Sequence, residues 1–307
     1  MSFDPNSRLD TSQVSDRRGG GGFRGGGGSR RGGGLKLGGG LGGLVVVILV
    51  AVFFGPEALT SIGLTDDSSS GRSTSSGDLS ECRTGQDANE QADCRVVGTV
   101  NSLNAFWQGY LPDYGISYRA PEAALENGQW DTGCGVGNSE MGPFYCPSDE
   151  TAYFDTDFFQ VLKSDYGSSG GPLAEEYVVA HEWGHHIQNL TGTLGKAQQD
   201  PQGEQSGAVR VELQADCYAG LWAAHAATTN DPETGKPYLE ELTEQDVSDA
   251  LSAAAAVGDD RIQQKAQGRV TPESWTHGSA EQRQKWFIAG YTSGDLAKCD
   301  TFAVDRV

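Results

Sequence analysis

Basic residues are scarce in this chain of 307 residues, which has 22 Lys and Arg against 42 Asp and Glu and a formal net charge of −20. Seven of the basic residues and three of the acidic ones fall in residues 1–40, so that part carries +4 and the remainder −24. A surface this acidic repels the phosphate backbone of DNA and RNA. The composition therefore excludes nucleic acid as a partner of the folded part.

The chain also lacks any Cys-x-x-Cys pair, the spacing that marks small zinc modules and many redox sites. All six cysteines lie beyond residue 80. An even number of widely spaced cysteines is typical of disulfide-bonded proteins outside the reducing cytoplasm. Their spacing alone leaves the connectivity open. We predict that near neighbours pair along the chain, as Cys82–Cys94, Cys134–Cys146 and Cys217–Cys299.

A long uninterrupted apolar run is absent as well. The longest, Leu44–Phe54, is shorter than the ~20 residues that a membrane-spanning helix needs. No small-x-small cleavage pattern follows it, which argues against a cleaved signal peptide. With its flanks, the stretch 37–62 is long enough to span, and we predict a transmembrane signal anchor there.

The positive-inside rule gives this predicted anchor an orientation. The basic excess that precedes it keeps the N-terminus in the cytoplasm. We therefore expect a single-pass protein of the cell membrane whose remaining residues are extracytoplasmic.

The segments on either side of the predicted anchor contain few apolar residues. Residues 1–36 are rich in Gly and Arg, and we predict that they form a disordered cytoplasmic tail. Residues 63–80 are rich in Ser and Gly, a composition typical of linkers.

Residues 81–307 contain enough apolar residues to bury a core and show no internal repeat, so we predict one folded domain. The periodicity of apolar residues is of the helix type in some stretches and of the strand type in others. It predicts a helix over 91–110, strands at 116–119 and 129–132, a hairpin within 144–154 and a short helix over 158–162. The expected fold class is therefore α+β.

The sequence has only five histidines, and two of them belong to the motif HEWGH. Glycines on both sides and Pro172 in the first turn predict a helix over 172–190. On a helix, His181 and His185 are one turn apart and project from the same face, where they can share one zinc ion. Glu182 adjoins the first ligand and is the predicted general base.

The third ligand decides the class of site. A metzincin would need His at position 191, where this chain has Thr191. The later stretch VRVELQADCYAGLW instead places Glu212 and Asp216 four residues apart on a second predicted helix. Two carboxylates among apolar residues need a counter-charge. A zinc ion bound by Glu212 supplies it, with Asp216 accepting a hydrogen bond from a ligand histidine.

Three other interpretations stay open at this point. Glu212 and Asp216 could form a solvated acidic face paired with Arg210. Cys134 could be the third ligand, as an upstream cysteine is in deformylases, although a disulfide to Cys146 explains it better outside the cell. The chain could also be a non-catalytic envelope or adhesion protein with a structural zinc site.

Four longer strings, GPFYCPSDETAYFD, VVAHEWGHHIQNLTG, VELQADCYAGLW and THGSAEQRQKWFIAGY, resemble the bacterial family of putative neutral zinc metallopeptidases. The resemblance covers residues 85–303 and includes the HExxH and ExxxD motifs of gluzincins. It implies a membrane anchor and a zincin-like catalytic domain with an active-site helix, a small sheet and C-terminal helices. It also implies zinc as the cofactor, ligands at His181, His185 and Glu212, and Glu182 as the general base.

We therefore expect a zinc metalloendopeptidase that hydrolyses protein or peptide substrates. His277, on a predicted loop before a helix that begins near Ser279, is the candidate for stabilising the oxyanion. His186 and His225 are expected to lie outside the metal site. The stretch TAYF at 151–154 is either an edge strand that pairs with extended substrate or a core strand.

Overall fold

The computed structural model of this protein describes residues 2–18 and 79–307. Helices make up most of these residues and two small sheets complete them, so the α+β prediction is confirmed. The predicted anchor at 37–62 lies outside the described residues. Within the two described ranges, we find no helix with the length and apolar character that a membrane crossing requires.

The first half of the chain supplies both sheets. Its elements are β1 (Ser15–Asp16), α1 (Gly85–Glu90), α2 (Ala92–Tyr110), β2 (Glu122–Leu125), β3 (Gln129–Thr132), β4 (Gly135–Asn138), β5 (Phe144–Cys146) and β6 (Thr151–Phe154). The larger sheet has the order β1-β2-β6-β5, with β5 antiparallel to β6 and the other pairs parallel. Strands β3 and β4 form a separate hairpin.

Three of the four predicted elements in this half are confirmed, among them the strand at 129–132, which is β3. Helix α2 matches the prediction over 91–110, and β5 with β6 forms the hairpin predicted within 144–154. The prediction of a strand at 116–119 is wrong, because residues 122–125 pair with β6 instead. Strand β6 lies between β2 and β5 and is a core strand, so the edge-strand interpretation of TAYF is also wrong.

The second half of the chain is helical. Its elements are α3 (Asp157–Ser164), α4 (Pro172–Thr191), α5 (Lys196–Gln199), α6 (Gly207–His225), α7 (Glu244–Ala256), α8 (Asp259–Gln267) and α9 (Ala280–Ser293). The helix predicted over 172–190 is confirmed as α4. It begins at Pro172, ends at Thr191 and is capped by Gly192 in the left-handed conformation, with φ of 73°. Helix α4 packs against α2, α6 and α7, and α6 packs against α9.

Glycines allow these helices to approach closely. A Cβ atom on Gly184 of α4 would lie 2.9 Å from the Cα of Ala215 on α6. At the contact between α6 and α9, a Cβ on Gly220 or on Gly290 would overlap a backbone carbonyl oxygen of the other helix. Since no side chain fits at these crossings, the helices pack backbone to backbone. The residues on either side of Gly184 are thereby brought against α6.

Three disulfides close the domain, and they are the three that were predicted. Cys82–Cys94 ties the start of the domain to α2, and Cys134–Cys146 ties the β3–β4 hairpin to β5. Cys217–Cys299 ties α6 to the C-terminal residues.

The N-terminal segment, defined here as residues 2–18, packs against the domain. Phe3 is fully buried and Val14 is 5 % exposed. The prediction that residues 1–36 are disordered is therefore wrong for this segment. The mean composition of residues 1–36 is dominated by the glycine-rich residues that follow, which hides the apolar side chains that this segment buries.

Candidate metal centre

Three ligand-type side chains meet where α4 crosses α6. His181 and His185 lie one turn apart on α4, and Glu212 lies opposite them on α6. One ligand atom from each of the three falls within 4.8 Å of the others. His181 Nε2 is 3.2 Å from Glu212 Oε2, and His185 Nε2 is 3.5 Å from Glu212 Oε1. All three side chains are buried.

The separations between these atoms fit a zinc ion. Zinc holds nitrogen and oxygen ligands at about 2.0–2.1 Å in a tetrahedron, so its ligand atoms lie roughly 3.3–3.4 Å apart. The two measured nitrogen–oxygen distances agree with that value. Two imidazoles and one carboxylate are also a donor set that zinc hydrolases use. The donor set and its spacing therefore fit zinc.

Both histidines have their second ring nitrogen occupied. Nδ1 of His181 is 2.8 Å from Asp216 Oδ1, and Nδ1 of His185 is 2.9 Å from the amide oxygen of Gln188. Gln188 is itself fixed, because its amide nitrogen donates to the carbonyl of Val211 at 2.6 Å. An Nδ1–H that donates to an oxygen leaves the Nε2 lone pair free for a metal. The tautomer that a zinc ligand needs is thus set by neighbouring side chains.

A buried arginine completes the surroundings of His181. Arg283 of α9 donates from Nε to Asp216 Oδ2 at 2.8 Å and from a terminal nitrogen to Asp216 Oδ1 at 2.9 Å. The hydroxyl of Tyr177 donates to the same Oδ1 at 2.5 Å. Arg283 therefore balances the charge of Asp216 and fixes the carboxylate that orients His181.

The two carboxylates on α6 are held in their charged forms. Burial by itself would raise the pKa of Glu212. The positive charges of His185, His277 and His181 in their protonated forms outweigh burial, so the pKa lies well below the usual value. For Asp216, burial is likewise outweighed by Arg283 and His181, so its pKa is lowered too. Both carboxylates are therefore ionised at neutral pH.

Glu182 is the one acid of the HEWGH motif, and it lies in the same buried region with 7 % of its surface exposed. Burial raises the pKa of this carboxyl, and the nearby histidines His185 and His181 offset only part of the rise. A carboxylate whose pKa is raised toward neutrality accepts a proton more readily than an ordinary glutamate.

His277 lies on the loop that leads into α9, as predicted, and is 9 % exposed. Its Nδ1 is 3.3 Å from Asp259 Oδ1, while Asp259 Oδ2 accepts hydrogen bonds from the backbone N–H groups of Thr276, His277 and Gly278. Asp259 thus fixes both the loop and the imidazole. The charge of Glu212 acts on His277 and, with Asp259, raises its pKa although burial opposes this. The structure therefore brings His277 into the electrostatic field of the metal cluster.

Comparisons with known proteins bear on this geometry. The family model described as "Putative neutral zinc metallopeptidase" matches residues 4–302. The chain belongs to this metallopeptidase family. Uncharacterized proteins of Mycobacterium tuberculosis and Mycobacterium bovis are 63 % identical over 226 residues, covering 74 % of this chain and 76 % of their own length. Uncharacterized protein YpfJ of Escherichia coli is 39 % identical over 268 residues, covering 85 % of this chain and 86 % of its own. No solved structure matches the chain.

The remaining candidate residues lie outside the cluster. Cys134 is bonded to Cys146, which removes the deformylase-like alternative. His186 is fully buried, with Nδ1 at the hydroxyl of Tyr145 and Nε2 at the backbone carbonyl of Arg119. His225 lies at the end of α6, where its Nε2 contacts the carbonyl of Gly294. Arg210 donates to C-terminal carbonyls, so it does not pair with Glu212 and Asp216 in a solvated face.

The sequence did not reveal three residues that position the ligands, namely Tyr177, Gln188 and Arg283. Gln188 is three residues beyond His185 and shares its helix face, which is a detectable signal. Arg283 lies within the string THGSAEQRQKWFIAGY, but nothing local shows that it contacts Asp216, 67 residues away.

Proposed function

We propose that this chain is a zinc-dependent metalloendopeptidase that hydrolyses peptide bonds of proteins or peptides. The observation that carries the proposal is the buried set of His181, His185 and Glu212, with ligand atoms at zinc spacing and Glu182 in the same buried region. Membership of the metallopeptidase family supports the same reaction class.

The proposed mechanism assigns one role to each group. A zinc ion held by His181, His185 and Glu212 would acidify water and polarise the scissile carbonyl. Glu182 takes the proton of the attacking water and returns it to the leaving amine, a task that its raised pKa suits. His277, held by Asp259, donates a hydrogen bond to the oxyanion as the carbonyl carbon becomes tetrahedral.

The number of donors favours catalysis over a structural zinc site. Structural zinc is held by four protein ligands, most often Cys and His, whereas catalytic zinc has three and leaves one position for water or substrate. Within residues 2–18 and 79–307, the metal-type cluster contains three donors. All six cysteines are in disulfides and cannot supply a fourth. A non-catalytic envelope or adhesion protein has no need of an open position.

We also propose that the catalytic domain works outside the cytoplasm. Three disulfides in one domain support this location, because such bonds persist where the surroundings are oxidising. The membrane anchor at 37–62 stays a prediction.

Zinc content and cleavage, measured on the same preparations of the full chain, test the proposal. Casein and a peptide blocked at both ends serve as substrates, the second because an exopeptidase leaves it intact. Glu182→Gln should retain one zinc per chain and lose activity by about 10²–10⁴-fold, since only the proton acceptor is removed. Glu212→Ala should lose both zinc and activity.

Glu273→Gln is the matched control, because this glutamate is exposed and lies outside the cluster. It should bind zinc and cleave as the wild type does. The proposal fails if Glu182→Gln cleaves at the wild-type rate with its zinc in place. A chain that holds zinc firmly but cleaves neither substrate in any variant would instead support the structural site.

A further inference from the structure

Two asparagines hold the N-terminal segment by its backbone. Asn89 of α1 accepts from the backbone N–H of Phe3 at 2.8 Å and donates to its carbonyl at 3.0 Å. Asn101 of α2 does the same for Asp10, at 2.8 and 3.0 Å. Each asparagine hydrogen-bonds both the N–H and the C=O of one residue, as a neighbouring strand would. The domain thus binds the segment as it would bind an extended peptide.

The surface beneath the segment is shaped for it. A Cβ atom on Gly98, in the middle of α2, would lie 2.5 Å from the ring of Phe3, and one on Gly85 would overlap the carbonyl oxygen of Asp4. Glycine inside a helix costs roughly 0.5–1 kcal/mol relative to alanine. Gly98 provides the space that the buried ring occupies, which offsets this cost. Gly109, on the same helix, has no atom within 4 Å of such a Cβ.

Backbone ladders extend the contact along the segment. Arg8 faces Thr84 in an antiparallel bridge, with Leu9 N–H donating to the carbonyl of Arg83 and Gly85 N–H donating to that of Ser7. Strand β1 adds to the parallel edge of β2. The segment therefore completes both the helical layer and the larger sheet.

The arginines of the segment are paired with acids of the domain. Arg18, with 9 % of its side chain exposed, lies 2.8 Å from Asp93 of α2, and Arg17 lies 3.0 Å from Glu122 of β2. These are two of the seven basic residues that gave the N-terminus its expected cytoplasmic location. Both arginines are thus bound by acids of the domain.

We infer that residues 2–18 are an integral part of the metallopeptidase domain, docked on the surface of α1, α2 and β2 of the same chain. Residues 18 and 79 therefore lie on the same side of any membrane that the protein meets. This inferred arrangement is an alternative to the single-pass topology expected from the sequence, in which the N-terminus and the domain lie on opposite sides.

A disulfide between Arg8→Cys and Thr84→Cys tests the docking in the full chain. The bridge at these residues is of the non-hydrogen-bonded antiparallel type, in which Cα atoms lie about 4.5 Å apart, within disulfide range. A site for a specific protease, inserted after residue 70, separates the segment from the domain after oxidation. The two fragments should stay joined on a gel until reductant is added.

Ser12→Cys with Thr84→Cys is the matched control, because Ser12 lies four residues beyond the bridge and faces solvent. It should give separate fragments without reductant. Separate fragments from the Arg8→Cys/Thr84→Cys chain would overturn the inference. A dimer-sized product would overturn it as well, since the segment would then belong to another copy.

Thiol labelling of the full chain in intact spheroplasts tests the topology. All six native cysteines are in disulfides, so a single new cysteine reports alone. Ser15→Cys marks the segment and Ser248→Cys the domain, and both positions are exposed. An impermeant maleimide should label the two cysteines to the same extent. Either both react in intact spheroplasts, or both react only after permeabilisation. Labelling of one in intact spheroplasts and of the other only after permeabilisation would overturn the inference.

The melting temperatures of glycine variants test the docked contact directly. Gly98→Ala should lower the Tm by about 2–12 °C, whereas Gly109→Ala should leave it unchanged or raise it. In a Phe3→Ala background the loss from Gly98→Ala should disappear, because the ring that it strikes is gone. Equal losses with and without Phe3 would show that the ring does not occupy this site.

Discussion

The metal cluster and the docking surface of the N-terminal segment are both assembled from distant parts of the chain, but in different ways. The cluster uses two short motifs, each on one helix, that meet at Gly184. The docking surface uses single asparagines that contact residues 86 and 91 positions earlier. Helix periodicity therefore predicts most of the geometry of the metal cluster, while no local pattern predicts the geometry of the docking surface.

Removal of Arg283 is expected to have the largest effect on the cluster. Arg283→Met leaves Asp216 charged and buried without its partner, which should lower the free energy of unfolding by about 3–5 kcal/mol. Loss of the group that orients His181 should also weaken zinc binding by roughly 10–100-fold. Urea unfolding and a competitive zinc titration measure the two effects.

Arg261→Met is the control for this variant, since Arg261 is exposed on α8. It should change stability by less than about 0.5 kcal/mol. Equal effects of the two substitutions would mean that the pair of Arg283 and Asp216 does not stabilise the site.

The disulfides offer the next largest contrast between the two regions. Cys217–Cys299 joins residues 82 apart beside the metal cluster, and Cys82–Cys94 joins residues 12 apart beside the docking surface. Because a longer closed loop restricts the unfolded chain more, replacing the first pair by serines should cost about 1–2 kcal/mol more than replacing the second. Denaturant midpoints of the two double variants give the comparison, and the reverse order would contradict it.

Gly184→Ala should have an effect of similar size that is centred on the metal cluster. The new methyl group would press against Ala215 and separate α4 from α6, at a cost of about 1–3 kcal/mol. Zinc affinity should fall with stability, because the histidines and Glu212 move apart together with their helices. Gly195 has open space around it and an ordinary φ of −65°, so Gly195→Ala should change neither stability nor zinc affinity. Unchanged zinc affinity in Gly184→Ala would show that the crossing does not set the ligand distances.

The smallest expected effect is a gain in stability when Glu126 is replaced. This residue follows β2 beside the N-terminal segment. Burial raises the pKa of Glu126 above 4.5, so the folded state binds its proton more tightly than the unfolded state does. The stability linked to this proton is present below pH 4.5 and is lost as the pH rises through the folded pKa. Glu126→Gln should therefore raise the Tm slightly at pH 7 and leave it unchanged at pH 4. The exposed Glu81→Gln is the control, and a gain at pH 4 as large as at pH 7 would contradict the assignment.

The features that sequence analysis predicted are those with a local signal. Spacing placed His181 and His185 on one helix face and Glu212 near Asp216 on another, and glycine and proline marked the ends of α4. Arg283 and the docking contacts have no such signal, because their partners are far away in sequence. Strand β2 was missed because its residues Glu122–Leu125 have weak strand propensity, and it is stabilised by pairing with β1 and β6.

Recognition of main-chain atoms by Asn89 and Asn101 has a consequence for sequence divergence. An amide that binds a backbone N–H and C=O does not distinguish the side chain between them, so Asn101 does not select the side chain at position 10. Only positions that fill space, such as Phe3 over Gly98, are restricted in size. Two chains could thus share the same docked segment while their N-terminal sequences have little identity.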